Sequence, residues 1–210
     1  WGTISICADP EIEMVICLTT PAAHYPIIKQ ALLAGKHVFS EKMIAEARAR
    51  NADPRIRYEV CGIAEYSYPA GYYDLVVSNL ALHYLADLDD IYRKVFSTLR
   101  PGGVFLFNIE HPVFTAGVRE DWVRDTEGRP VCWPVDNYYY PGERTTLFLG
   151  QEVKKQHHTL TQILMGLIRR GFVLEAVEEA MPDPSMLDLP GMADEMRRPM
   201  MLLVKARKPF

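Results

Sequence analysis

Residues 72–109, YYDLVVSNLALHYLADLDDIYRKVFSTLRPGGVFLFNI, decide the fold. Tyr72–Ser78 is an almost continuous, partly β-branched apolar run, the pattern of a strand covered on both faces. Leu88, Ile91, Tyr92, Val95 and Leu99 then recur at helical spacing, so an amphipathic helix follows. Pro101-Gly102-Gly103 turns the chain, and Val104–Ile109 is a second buried strand. A strand, a helix and a strand in this order make a unit of parallel sheet with a helical crossover.

The same alternation extends towards the N-terminus. After a possible edge strand at Thr3–Cys7, Met14–Thr19 is an apolar strand, and Pro21 opens a helix that places Ile27, Ile28, Ala31 and Leu32 on one face. Gly35 stops that helix, and Lys36–Phe39 is a strand. A helix over Glu41–Arg50 and a strand over Ile56–Val60 complete the first half. Beyond His111 the periodicity fades to about Gln156, while Trp, Tyr, Pro and Gly accumulate. A long aperiodic stretch inside a compact domain signals a functional insertion, here a substrate lid over residues 111–156. Regularity returns with Leu160, Ile163, Leu164, Leu167 and Ile168 on one helix face, a stop at Gly171 and a strand over Phe172–Val177. Met181–Pro199 is a proline-rich crossing, and Met200–Ala206 is the last strand.

With 210 residues, 49% of them hydrophobic, the chain carries enough apolar surface for a single α/β domain over residues 1–210. A formal net charge of −4 argues against a nucleic-acid or membrane-surface partner and favours a small-molecule one. No apolar run is long enough to span a bilayer, and the expected location is the cytoplasm. Cys7, Cys17, Cys61 and Cys132 are widely spaced without a CxxC pair, so they are expected to be core thiols. The adjacent His157 and His158 have no suitably spaced partner, and no metal site is expected.

From about Met43 onward the segments SEKMIAEARARN, YYDLVVSNLALHYLADL, LRPGGVFLFNIEHPVFTA, HHTLTQILMGLIRRGF and EMRRPMMLLVKA, in this order, resemble small class I S-adenosylmethionine-dependent methyltransferases. Residues 9–42 instead resemble part of the nucleotide-binding domain of the glucose-fructose oxidoreductase and inositol dehydrogenase family, through Thr20-Pro21, His24, Ala34-Gly35-Lys36-His37-Val38 and Glu41-Lys42. The two resemblances meet at Ser40-Glu41-Lys42, as in a chimera. The first implies a Rossmann-like sheet of seven strands, mostly parallel with an antiparallel last strand and helices on both faces, and S-adenosylmethionine as cofactor.

The resemblance also implies where the cofactor sits. Its amino-acid end faces the loop after the first strand, with Thr19 and Thr20, although Thr19-Thr20-Pro21-Ala22-Ala23 replaces the family's glycines and Pro21 has no N–H to offer. The ribose falls near Glu41, Lys42 and Met43, Glu41 either accepting from the ribose or stabilising a helix N-terminus. The adenine falls at Ile63, Ala64 and Glu65, Glu65 being either its acid partner or a solvated loop charge. Asn79 and Leu80 contact the cofactor at the carboxyl end of the Tyr72–Ser78 strand. His111 is the candidate catalytic residue, as a proton acceptor or an orienting group, against a structural loop histidine. Three functions are therefore compared: methyl transfer to a small acceptor, a methyltransferase-like chimera or pseudoenzyme that has lost its cofactor, and a nicotinamide-dependent oxidoreductase fragment.

Overall fold

In the computed structural model of the chain, the described residues are 14–18, 37–40, 61–117, 120–148 and 151–210. Six strands form one sheet: β1 (Met14–Leu18), β2 (His37–Ser40), β3 (Tyr73–Asn79), β4 (Leu99–Glu110), β9 (Val173–Ala180) and β10 (Met201–Arg207), in the order β2-β1-β3-β4-β10-β9. The pairs β2–β1, β1–β3 and β3–β4 are parallel, and β10 runs antiparallel to both β4 and β9. This is the Rossmann-like α/β class with the antiparallel last strand expected above. The sheet therefore has six strands among the described residues rather than seven. The expected edge strand Thr3–Cys7, strand Ile56–Val60 and the helices after Pro21 and over Glu41–Arg50 lie outside them.

Helix α1 (Leu88–Thr98) starts where the Asp87 side chain accepts the Asp90 N–H at 3.0 Å, and Asp89 and Asp90 sit favourably in its first turn. Helix α3 (Leu160–Arg170) opens with a reciprocal cap between Thr159 and Gln162 and ends at Gly171, whose φ of 102° suits a residue without a Cβ. Ile91, Tyr92 and Val95 of α1 and Ile163 and Leu167 of α3 pack against Phe105, Phe107 and Ile109 of β4 and Leu202 and Val204 of β10. Leu99 is buried as expected but begins β4, and Ile168 is exposed.

The two helices approach closely at Gly166, where a Cβ would stand 2.9 Å from Tyr92 Cε2 and 3.0 Å from Asp89 Oδ1. Tyr92 is fully buried and cannot swing aside. Gly166→Ala is therefore expected to destabilise the fold by about 1–3 kcal/mol despite its better helix propensity. Chemical denaturation checks this; an unchanged midpoint would contradict it.

Pro101-Gly102-Gly103 does not end a strand. It forms a bulge within β4, where Tyr73 pairs with Leu99 and Leu75 already pairs with Val104. Gly102, at φ 79°, donates its N–H to the Lys208 carbonyl, and the Lys208 N–H donates to the Gly103 carbonyl, tying the bulge to the end of β10.

The stretch over 111–156 is more regular than its sequence suggests. It holds a short helix α2 (Pro112–Ala116), a small hairpin of β5 (Val123–Arg124) and β6 (Pro130–Cys132), and a longer hairpin of β7 (Gly142–Phe148) and β8 (Gln151–His157). Cys132, on the surface hairpin, is exposed and Cys61 is half-buried, which corrects the expectation of core thiols for this pair. Cys7 lies outside the described residues. No described helix is long and apolar enough to cross a membrane.

Candidate functional site

The parallel strands end at one edge of the sheet, and there the chain places Asn79, Leu80, Glu110 and His111 together. Such carboxyl edges are where open α/β sheets bind ligands. Asn79 and Asn108 face each other in register, and Asn108 Nδ2 donates to Asn79 Oδ1 at 2.9 Å. Asn108 Oδ1 is buried without a partner. Leu80 adopts a left-handed backbone (φ 56°), uncommon for a side chain of its size, and its N–H donates to the Asn108 carbonyl.

Ile63 and Ala64 precede β3 in a turn fixed from three sides. The Glu65 and Tyr66 N–H groups donate to the Gly62 carbonyl, Tyr68 Oη donates to the Ile63 carbonyl at 2.9 Å, and Lys94 Nζ to that of Ala64 at 2.7 Å. Ile63 is buried, while Glu65 is exposed and folds its carboxylate over Gly62. A Cβ at Gly62 would lie 1.7 Å from Glu65 Oε2, so a side chain there would displace the Glu65 carboxylate from this position. Thr19, Thr20, Glu41, Lys42 and Met43 lie outside the described residues.

His111 is buried at the start of α2. Its Nδ1 accepts the Val113 N–H at 3.1 Å, and its Nε2 stands 2.8 Å from Glu179 Oε1 on β9. Burial lowers its affinity for a proton, and Glu179 opposes that effect. The imidazole thus serves as a helix cap whose lone pair is already used.

Beside it lies a cluster that the sequence did not single out. Lys155 Nζ, 4% exposed, donates to Glu110 Oε1 at 2.6 Å and to Glu120 Oε2 at 3.0 Å. Beneath them the Glu110 N–H donates to His83 Nδ1 at 3.5 Å, and His83 Nε2 is 3.9 Å from Glu110 Oε1. His83 is buried there, whereas Tyr84 next to it is exposed. Burial pushes the Glu110 carboxyl up to about 7, reinforced by Glu120 and opposed by Lys155. Lys155 is held charged by the two carboxylates against its own burial. The strain of the uncompensated negative charge therefore falls on Glu110.

Because the folded Glu110 value lies above its ordinary 4.5, its contribution to stability is complete below about pH 4.5 and lost as pH rises through about 7. A shift of that size is worth about 3 kcal/mol. Glu110→Gln is expected to flatten the fall in stability across this window. Urea midpoints at several pH values check it, and a wild-type slope retained in the variant would contradict it.

Two histidines at the end of the insertion make hydrogen bonds through their ring nitrogens. His157 Nε2 donates to the Tyr138 carbonyl at 2.9 Å, which leaves Nδ1 to accept from Thr115 Oγ1 at 2.7 Å. His158 Nε2 donates to the Leu85 carbonyl at 2.8 Å. Phe114 and Trp133 stack with centroids 5.0 Å apart, Trp122 meets Trp133 edge-on, and Arg198 lies 4.3 Å from the Trp133 centroid. Tyr139 and Tyr140 are exposed. The aromatics at 114, 122 and 133 thus form a satellite cluster around Arg198.

Comparison with known proteins places these features in context. A family model for the methyltransferase domain matches residues 38–107, and one for the oxidoreductase family's NAD-binding Rossmann fold matches residues 4–53. A crystal structure from Listeria monocytogenes, described as an S-adenosylmethionine-dependent methyltransferase, is 38% identical with a TM-score of 0.90, over 100% of this chain and 96% of that one. One from Mesorhizobium loti with the same description is 36% identical with a TM-score of 0.84, over 99% and 96%. An uncharacterised protein of Haemophilus influenzae is 28% identical over 145 residues, 67% of this chain. The matched stretch spans 56% of that curated relative's length.

Proposed function

We propose a function from one established premise: the chain belongs to the S-adenosylmethionine-dependent methyltransferase family. On this reading it methylates a small-molecule acceptor at the carboxyl edge of the sheet. The adenosine half of the donor rests on Ile63, Ala64, Glu65, Asn79 and Leu80, and the acceptor lies over the end of β4 at Glu110 and His111. The observation that carries the reading is the strained Leu80, tied through its N–H to the Asn108 carbonyl, beside the unpartnered Asn108 Oδ1 at that edge; the fixed Ile63-Ala64 turn supplies the adenine contacts on this reading. An apolar floor, a hydrogen-bond acceptor and an exposed carboxylate are the groups that an adenosine needs.

The donor, when bound, supplies an electrophilic methyl carbon. What remains for the protein is alignment and exclusion of water, and neither needs a covalent intermediate. Residues 111–156 cover the edge as a lid in this reading, since Glu120 and Lys155 hold it to Glu110. His111 orients the lid through its helix cap, and it can accept a proton only by releasing Val113.

Melting temperatures with millimolar S-adenosylmethionine, S-adenosylhomocysteine or reduced nicotinamide dinucleotide separate the readings. A rise with the first two alone is expected; a rise with the dinucleotide alone would overturn the proposal. The second reading, a methyltransferase-like chimera without cofactor binding, is favoured by Thr19-Thr20-Pro21-Ala22-Ala23 standing where glycines are expected. It would show no rise with any of the three.

A further inference from the structure

Among the described residues, the buried cluster at the end of β4 has an unbalanced charge. Two carboxylates, Glu110 (9% exposed) and Glu120 (4% exposed), share one ammonium, Lys155. Each carboxylate commits one oxygen to Lys155, and the other, Glu110 Oε2 or Glu120 Oε1, is buried with no partner. A buried carboxylate oxygen without a hydrogen bond is costly, and a structural ion cluster normally satisfies both oxygens. The exposed Tyr84, next in sequence to His83, lies near enough to the cluster to feel Lys155, Glu110 and Glu120 electrostatically. The Phe114 ring lies 5.8 Å from Lys155 Nζ. The surroundings are thus two unused acceptors of net negative charge, a phenol at the margin and an aromatic wall.

We propose that Glu110 and Glu120 recognise an ammonium group and that the molecule methylated at this edge is a small amine: the bound ammonium gives one proton to a Glu110 carboxylate oxygen, the freed nitrogen lone pair attacks the donor's methyl carbon, and the carbon–sulfur bond breaks with its electron pair left on the sulfur of S-adenosylhomocysteine. An ammonium brings one positive charge and up to three N–H donors, which neutralises the cluster and satisfies both free oxygens. A carboxylate would add a third negative charge, and an alcohol would leave the net charge in place. The inference rests on the methyltransferase reading for the chemistry, but the amine site itself does not depend on it.

The test is calorimetry near pH 8, with and without S-adenosylhomocysteine, using ethylamine, benzylamine and tyramine, and benzyl alcohol and benzoate as controls for benzylamine. At least one amine is expected to bind, and benzylamine about tenfold or more tighter than either control, as a charge-assisted hydrogen bond provides. Glu110→Gln and Glu120→Gln, both close in shape to the wild type, are each expected to weaken amine binding about tenfold. Binding of none of the amines, equal binding of benzoate, or wild-type amine affinity in both folded variants would overturn the inference. Selective amine binding without any binding of S-adenosylhomocysteine would support the amine site and overturn the methyltransferase reading.

Discussion

Lys155→Met is expected to lower the melting temperature by about 10 °C near pH 8, from a loss of about 3–5 kcal/mol. Lys155 is buried and is the cation between Glu110 and Glu120. Methionine fills much the same volume, so the loss is not one of packing. It comes from two carboxylates left facing each other away from water, which costs more than the intact cluster ever contributed. The sign of its pH dependence is also set. Without Lys155 the Glu110 carboxyl rises further above its already elevated value, so acidification through about 7 neutralises it and returns part of the loss. Melting curves on both sides of that value check this. A variant equally unstable at acid and alkaline pH would show that the ammonium does not act by compensating Glu110.

Arg198→Ala is expected to cost about 2–4 kcal/mol, from a lost bidentate ion pair and lost aromatic contacts, and to loosen the insertion before the rest of the fold. Arg198 is 4% exposed, donates to both Glu195 oxygens at 2.7 and 3.0 Å, and lies against Trp133, Phe114 and Trp122. It therefore fastens residues 114–133 to the segment leading into β10. Tryptophan emission should shift to longer wavelength, and limited proteolysis should cut within 111–156 sooner than in the wild type. Arg198→Lys should not restore either property, because an ammonium cannot reproduce the planar fork and its stacking. Emission and cleavage unchanged in Arg198→Ala would contradict this role.

These residues also mark where the sequence was hard to read. The strands and helices from Tyr73 to Glu110 and from Leu160 onward were legible because apolar side chains carry their periodicity. The β7–β8 hairpin was not, since its buried positions include Thr146, Lys155 and His157, polar groups whose partners come from distant elements. No apolar alternation could reveal it, although Leu149-Gly150 between Phe148 and Gln151 was a usable turn signal. The role of Arg198 was illegible for a similar reason: its aromatic partners Phe114, Trp122 and Trp133 lie far away along the chain. At the sheet edge, Asn79, Leu80 and His111 were legible because they follow directly on strands. The Glu110–Lys155–Glu120 cluster was missed because Lys155 and Glu120 both belong to the insertion.

The central claim is that an adenosine-bearing ligand binds at the carboxyl edge, against Ile63–Glu65 and Asn79–Leu80. Hydrogen exchange measured by mass spectrometry with and without saturating S-adenosylhomocysteine tests it most directly. Slowed exchange is expected in peptides covering residues 61–66 and 78–84. Unchanged exchange in both, under conditions where the ligand is shown to bind, would contradict it.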